Sequence, residues 1–190
     1  MGMYINRGNV AFADYSNGEY IDKTGMIAYI NSTLNTVNRL TCVTRPRRFG
    51  KSIAANTLCA YYDKSCDSSA LFDKFAIAKD PSYKEHLNKY HVINVDVTNF
   101  VSEYRGDDNI VTYMQEDIKA DLIEEFPDVN LAEQTKLMPA LIKIAKHTGI
   151  KFIFVIDEWD ALFRECPKNN DIQEEIEELD KRKIAWECIP

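Results

Sequence analysis

The chain has 190 residues, and its 30 acidic and 23 basic side chains give a formal net charge of −7 at pH 7. Hydrophobic residues make up 45% of the sequence, with only seven glycines and six prolines, so a collagen-like, low-complexity or wholly disordered chain is excluded. The length fits a single domain, which we place at residues 1–190. A chain this acidic is a poor generic binder of nucleic acid, because such binding depends on neutralising phosphates.

The sequence also indicates the cellular location of the protein. Its most apolar stretch, residues 152–156, is far shorter than the ~20 residues that a membrane span needs. The first residues lack the apolar core of a secretory signal. The five cysteines show no Cys-x-x-Cys spacing, which argues against a disulfide framework. We therefore predict a cytoplasmic protein that does not contact a membrane.

The first half of the chain contains two predicted helices and one short predicted strand. Residues 20–24 enter a helix whose apolar side includes Ile27 and Ile30. Residues 40–43 (LTCV) have the composition of a short strand. Residues 53–62, rich in small and apolar side chains, follow a basic loop and predict a second helix.

The second half alternates strands and helices more clearly. Residues 92–97 are mostly β-branched and apolar, which predicts a strand. Residues 152–156 are all apolar, as is typical of a strand buried on both faces in a parallel sheet. Helices are predicted at 109–126, at 137–149 with a late start or kink at Pro139, and in the acidic stretch 171–187. The first of these helices has an apolar residue every four positions: Ile110, Met114, Ile118 and Leu122. This alternation predicts an α/β fold with a mostly parallel sheet and helices on both faces.

The basic loop between the strand at 40–43 and the following helix resembles a phosphate-binding loop. Residues 45–52 read RPRRFGKS, and Gly50, Lys51 and Ser52 match three of the four fixed positions of G-x-x-x-x-G-K-[S/T]. Gly50 lets the backbone approach phosphates, Lys51 would bind the β- and γ-phosphates, and the Ser52 hydroxyl would ligate Mg²⁺. A basic turn that merely contains Gly-Lys-Ser remains the alternative.

The loop departs from the pattern at its start, where Arg45 replaces the first glycine and Pro46 follows. Pro46 has no backbone N–H, so one amide of the cradle is missing. Arg47 and Arg48 add two guanidinium groups suited to bidentate phosphate contacts. We therefore predict a nucleotide-binding segment formed by Arg47, Arg48, Phe49, Gly50, Lys51 and Ser52.

Two acids follow the apolar run at 152–156, namely Asp157 and Glu158. The carboxyl ends of parallel strands form the edge at which such sheets bind ligands. Asp157 would hold Mg²⁺ together with Ser52, and Glu158 would orient or deprotonate an attacking water. Lys51 and Glu158 are thus the predicted catalytic pair. An ordinary acidic turn after a strand is the other interpretation.

Five segments in order resemble the AAA-ATPase-like family of bacterial and archaeal proteins. They are YIDKT at 20–24, RPRRFGKS at 45–52, YY at 61–62, VINVD at 92–96 and FIFVIDEWDALFR at 152–164. The resemblance covers about residues 8–166, and 167–190 would be an acidic helical tail. It implies a three-layer fold of the P-loop NTPase type, with ATP and Mg²⁺ as cofactors. Members of the family often carry a PD-(D/E)XK nuclease-like domain further along the chain.

The chain differs from this family pattern after Asp157. Only 33 residues follow (190 − 157), and we find no strand among them. Related ATPases place a sensor strand between the phosphate-loop strand and the Asp-Glu strand. We therefore expect a sheet truncated before the sensor strand, with weak or no turnover. Unpaired strand edges favour pairing with another chain, so we also predict self-association or a missing C-terminal domain.

Three functions remain open on the sequence. The first is an ATP-binding and ATP-hydrolysing domain that acts as a nucleotide switch for a fused or partner effector, which the family suggests is nuclease-like. The second is a non-catalytic module that binds a phosphate or nucleotide and mediates protein interaction. The third is nucleic-acid binding through Arg45, Arg47 and Arg48, which the net charge disfavours. We expect nucleic acid to be contacted only indirectly, through the effector.

Overall fold

The computed structural model describes residues 2–43, 49–104, 109–131, 134 and 136–161. Within them the strands are β1 (His91–Asp96) and β2 (Phe152–Asp157). The helices, apart from a 3₁₀ turn at Ala76–Lys79, are α1 (Val10–Ser16), α2 (Gly25–Thr33), α3 (Lys51–Tyr62), α4 (Ser69–Phe72), α5 (Tyr83–His86), α6 (Val97–Glu103), α7 (Ile110–Glu125) and α8 (Leu137–Thr148). None of the helices in these described ranges is long and apolar enough to cross a membrane.

The two strands form a parallel sheet in which His91 pairs with Phe152 and Asp96 pairs with Asp157. The other edge of β1 carries the start of the chain. There Ile5 bridges Ile93 in antiparallel orientation, and the amide N–H of Asn94 donates to the Tyr4 carbonyl at 2.8 Å. β1 therefore has backbone partners on both sides, and the ends of both strands point to one edge of the sheet.

Apolar side chains of both strands pack to both faces of the sheet, as the alternation of side chains along a strand requires. Ile93 and Phe152 belong to one buried cluster, together with side chains of α6, α7 and α8. Val92 and Ile153 belong to the other, together with side chains of α1, α2 and α3. The unrelieved apolar sequence of β2 is explained by this burial on both faces.

The structure confirms the α/β class and corrects the predicted elements in two places. The helices predicted at 53–62, 109–126 and 137–149 correspond to α3, α7 and α8. Residue 97, predicted as the end of a strand, instead begins α6. The predicted strand at 40–43 is wrong. The three-layer P-loop arrangement stays a prediction, and the stretches 167–190 and 171–187 lie outside the described residues.

Residues 40–43 form no strand, since the backbone of the described part of the chain offers them no pairing partner. Thr41 and Val43 line one groove with Ile153 and Val155 of β2, and the described sheet contains only β1 and β2. Val43 is 46% exposed. The β-type composition of this segment had predicted a strand, but a strand also needs a hydrogen-bonded partner.

α8 shows how two special residues set a helix's limits. Pro139 is the third residue of the helix, which begins at Leu137. Proline in a first turn lacks an N–H that would have no partner there, so it neither delays nor kinks the helix. Gly149 ends the helix in the left-handed conformation with φ 69°, which glycine adopts without a steric penalty.

His91 at the start of β1 is a buried imidazole with a constrained environment. It is 2% exposed and contacts the rings of Phe126 and Phe152. The side-chain N–H of Asn6 donates to its Nδ1 at 3.3 Å, while the Asn6 Oδ1 accepts from the Val92 N–H. Burial, with a smaller contribution from Lys64, lowers the pKa of His91 to about 4. The folded protein therefore holds this histidine uncharged.

We expect His91 to make stability pH-dependent. Below pH 6.5 the unfolded chain binds a proton at this histidine, whereas the folded chain does so only near pH 4. Stability should therefore fall as pH decreases from 6.5 towards 4, by at most about 3 kcal/mol. His91→Phe, whose ring can keep the aromatic contacts, should flatten this slope in urea melts, and substitution of the exposed His147 by Gln should not. Equal slopes in the His91→Phe variant and the unaltered chain would contradict the assignment.

Candidate functional site

The carboxyl edge of the sheet brings two aspartates side by side, and they have different roles. Asp96 accepts a hydrogen bond from the Thr98 N–H at 2.9 Å and so caps α6. Asp157 accepts from the Glu158 N–H at 3.0 Å and lines the groove beside β2. Asp157 is therefore the strand-end acid that lines the groove.

Glu158 turns the chain sharply after β2. Its φ is 52°, in the left-handed region that side-chain-bearing residues rarely adopt, and its carbonyl accepts from the Ala161 N–H at 2.9 Å. This conformation directs the side chain to α3, where Glu158 Oε1 lies 3.7 Å from Lys51 Nζ. Backbone strain of this kind is concentrated at functional sites. The structure thus joins two residues that the sequence separates by 107 positions (158 − 51).

The start of α3 is suited to binding an anion. Gly50 precedes it in the left-handed conformation with φ 76° and, as the N-cap residue, contributes no side-chain cap. Among the hydrogen bonds between described residues, the amide of Ala54 is the first of this helix to donate to a backbone carbonyl, that of Gly50. The earlier amides point out of the helix end, where their partial charges attract anions.

A groove of about 170 Å³ connects α3 to the strand edge. Its walls are apolar side chains of α2 and α3, residues 153–157 of β2 and three side chains of the loop before α3, with Lys51 and Asp157 among the polar members. Lys51 and Asp157, which the sequence predicts to act on the same ligand, therefore line one groove. This arrangement places a cation, an acidic strand end and a helix N-terminus around the same space.

The other predicted site residues do not line this groove in the described part of the chain. Ser52 is exposed in the first turn of α3, next to Lys51 and outside the groove wall. Phe49 is 58% exposed. Arg45, Arg47 and Arg48 lie outside the described residues. The structure therefore brings together Lys51, Asp157 and Glu158, and it places Gly50 and Ser52 beside them along the chain.

The sequence alone left two roles open for Asp22, Lys23 and Thr24: bordering the adenine side of a nucleotide site, or capping the helix that follows them. The structure gives Lys23 a different contact. Its Nζ donates to the Phe49 carbonyl at 2.9 Å. Asp22 does not cap α2 through a helix-interior amide; it accepts hydrogen bonds from the N–H and hydroxyl of Thr24 and from the Ala76 N–H. Burial raises the pKa of Asp22, but these hydrogen bonds outweigh it and lower the pKa overall. The two side chains link the segment to both the loop and the 3₁₀ turn.

The oxygen groups at this edge fit Mg²⁺ in type. Mg²⁺ is usually held by one or two carboxylates, water and substrate phosphates, and Asp157 and Ser52 supply a carboxylate and a hydroxyl. Among the described residues no group of three or more His, Cys, Asp or Glu side chains could hold a metal without a substrate. A cation would also offset the repulsion between phosphates and the Asp157 and Glu158 carboxylates.

A parallel sheet whose carboxyl edge meets the N-terminus of a helix is typical of α/β proteins that bind phosphate-bearing ligands. The chain belongs to the AAA-ATPase-like family: the family model, described as a predicted AAA-ATPase, matches residues 11–183. This match confirms the resemblance drawn from the sequence and supports a role in ATP binding. Comparisons with curated proteins and with solved structures return no match.

Proposed function

We propose that this chain binds Mg²⁺-ATP at the groove between α3 and the end of β2 and hydrolyses it slowly. The observation that carries the proposal is the 3.7 Å approach of Lys51 Nζ to Glu158 Oε1, with Lys51 and Asp157 in one groove wall. The family supports the choice of ATP as ligand. If residues 45–52 were only a basic turn and Asp157 and Glu158 only an acidic turn, we would not expect their side chains to lie this close together.

Each residue has a distinct task in this proposal. Lys51 and the amides at the start of α3 bind the phosphates, because an ammonium and a helix N-terminus both attract anions. Asp157 and Ser52 supply oxygen ligands to the metal, and Arg47 and Arg48 add phosphate contacts. The bound Mg²⁺ would neutralise phosphate charge and polarise the terminal phosphoryl group.

Glu158 links binding to the chemistry. In the structure its carboxylate faces the Lys51 ammonium. A phosphate that takes Lys51 as its partner releases this carboxylate from one of its contacts, the Lys51 ammonium, and the carboxylate can then orient a water molecule and accept its proton. Release would also affect the strained turn at Glu158 and the half-exposed Trp159 after it. Nucleotide occupancy is thereby communicated to the surface of the protein.

This coupling is the basis for proposing a nucleotide switch for a fused or partner effector. The nuclease-like character of the effector, self-association and the cytoplasmic location stay predictions from the sequence. The alternative is a non-catalytic module that binds a phosphate or nucleotide and mediates protein interaction. In that module Glu158 would serve only as a charge partner of Lys51.

Glu158→Gln separates the two functions. The amide keeps the size and hydrogen-bonding oxygen of the side chain but cannot act as a base, so we expect Mg²⁺-ATP binding to persist. Turnover should fall about 100-fold, as for the loss of a general base. Binding is measured by calorimetric titration, and phosphate release is measured with ATP in excess over several hours.

Glu124→Gln on α7 is the matched control, because Glu124 is exposed and its helix packs on the sheet face opposite the one that α3 covers. It should leave both binding and phosphate release unchanged. Binding without any turnover by the unaltered chain would favour the non-catalytic module. Failure of the unaltered chain to bind Mg²⁺-ATP at all would refute the proposed function.

A further inference from the structure

Lys23 contacts the loop that leads into α3 at a specific peptide. Its Nζ donates to the Phe49 carbonyl at 2.9 Å, although 26 positions separate the two residues along the chain. The same Nζ lies 3.0 Å from the place that a Cβ on Gly50 would occupy. The positive φ of 76° favours glycine at position 50, whereas the nearby ammonium ends a flexible side chain that could move away from a Cβ.

The backbone that presents Lys23 is held on both sides. Asp22 accepts from the Thr24 N–H at 2.8 Å, the Thr24 hydroxyl at 2.6 Å and the Ala76 N–H at 2.8 Å. Thr24 is fully buried, and its hydroxyl accepts from the Ile77 N–H at 3.2 Å. Lys23 is thus a side chain that projects from an anchored turn, which limits the entropy lost when it binds the carbonyl.

This hydrogen bond determines the orientation of one peptide plane. The described residues contain no cis peptide bond, and in a planar trans peptide the C=O and the following N–H point in opposite directions. An ammonium that holds the Phe49 carbonyl on one side therefore directs the Gly50 N–H to the other side. Gly50 is the residue immediately before α3, at the helix end where an anion is attracted.

We propose that Lys23 is a positioning residue of the nucleotide site, which orients the Phe49–Gly50 peptide so that the Gly50 N–H is available to a phosphate oxygen. This inference rests on the proposed binding of Mg²⁺-ATP. It adds a basic residue outside the loop, which acts through the backbone while Lys51 acts directly. The proposal also gives Asp22 and Thr24 of the segment YIDKT a role, because they hold the turn from which Lys23 projects.

The test uses one signal that reports on this peptide alone. Phe49-Gly50 is the only Phe-Gly pair in the sequence, so labelling Phe with ¹³C at the carbonyl and Gly with ¹⁵N yields a single correlated NMR signal. Its carbon shift reports the hydrogen bond from Lys23, and its amide proton shift reports a hydrogen bond to phosphate. Lys23→Met removes the donor at similar side-chain length, and Lys23→Arg retains a donor. Lys89→Met is the matched control, because Lys89 is exposed and precedes β1 at the opposite edge of the sheet.

We expect Lys23→Met to move the unliganded Phe49 carbon signal and to weaken Mg²⁺-ATP binding about tenfold, as for one charge-assisted hydrogen bond. The downfield shift of the Gly50 amide proton at saturating ATP should shrink in this variant. Lys23→Arg should bring the ATP affinity and the Gly50 amide shift most of the way back to those of the unaltered chain. Lys89→Met should change neither quantity. These results together would support positioning through the peptide.

The opposite results separate this inference from the function on which it rests. If Lys23→Met changes only the unliganded carbon signal and leaves ATP affinity within twofold of the unaltered chain, Lys23 is a structural contact and the inference is wrong. The proposed function would survive that result, because the unaltered chain would still bind ATP. Absence of ATP binding by the unaltered chain would overturn both.

Discussion

Lys51→Ala should reduce the affinity for Mg²⁺-ATP about 100-fold, the largest effect that we expect from a single substitution in the groove. In the proposed site the ammonium would make two charge-assisted hydrogen bonds to phosphate, each contributing about 1.5 kcal/mol. Its removal also takes away the cation that lies 3.7 Å from the Glu158 carboxylate, beside a groove that Asp157 also lines. Calorimetric titration, supported by the shift in thermal midpoint with added Mg²⁺-ATP, measures this loss.

The same substitution should have little effect on the folded state without ligand. The side chains of Lys51 and Glu158 are 26% and 25% exposed and 3.7 Å apart, so solvent screens their attraction to about 1 kcal/mol or less. An unchanged thermal midpoint without ATP thus separates lost binding from lost folding. Lys89→Ala, at the opposite edge of the sheet, is the control for removing one positive charge. Undiminished ATP affinity in the Lys51→Ala variant would show that the ligand binds elsewhere.

Asp121→Ala should cause the largest loss of stability, about 3 kcal/mol, because its carboxylate holds the beginning of the chain. Asp121 Oδ1 accepts from the Met3 N–H at 2.9 Å, and Oδ2 accepts from the Tyr4 and Ile5 N–H groups at 2.8 Å. Ile5 is fully buried, so its amide would lose its partner without gaining water. Hydrogen bonds to a charged group contribute about 1.5–3 kcal/mol each, and part of this is regained by rearrangement.

Thermal melting should show this loss as a decrease of roughly 6–12 °C in the midpoint for a domain of this size. Glu124→Ala removes an exposed acid from the same helix and should lower the midpoint by much less. Hydrogen exchange gives a second readout, because the Asn94 N–H bonded to the Tyr4 carbonyl should exchange faster only in the Asp121 variant. Similar melting of the two variants would mean that the N-terminal segment contributes little to stability.

Local patterns in the sequence were sufficient to predict the regular elements that are buried on a defined face. The four-residue spacing of Ile110, Met114, Ile118 and Leu122 predicted α7, and all of these except Met114 are buried in it. The apolar run at 152–156 predicted β2 for the same reason, since both faces of that strand are covered. Such patterns are reliable because they follow directly from the helix and strand repeats.

Composition failed where the outcome depends on a partner elsewhere in the chain. Residues 40–43 have strand-forming composition, but they lie across a groove from β2 and pair with no described strand. Asp96 and Asp157 both end strands with an acid, yet Asp96 caps α6 while Asp157 faces the groove. Propensity describes a residue's own backbone preferences and carries no information on which neighbour is within reach.

The sequence by itself determined which chemical groups are available: a Gly-Lys-Ser segment at the start of a helix, and two acids at the end of a buried strand. It also determined the α/β class, because helix and strand periodicities are local. Only the tertiary structure decided that Lys51 meets Glu158 and that Lys23 holds the Phe49 carbonyl. Ion pairs and hydrogen bonds depend on distances of a few ångströms between residues far apart in sequence, and those distances exist only once the helices have packed against the sheet.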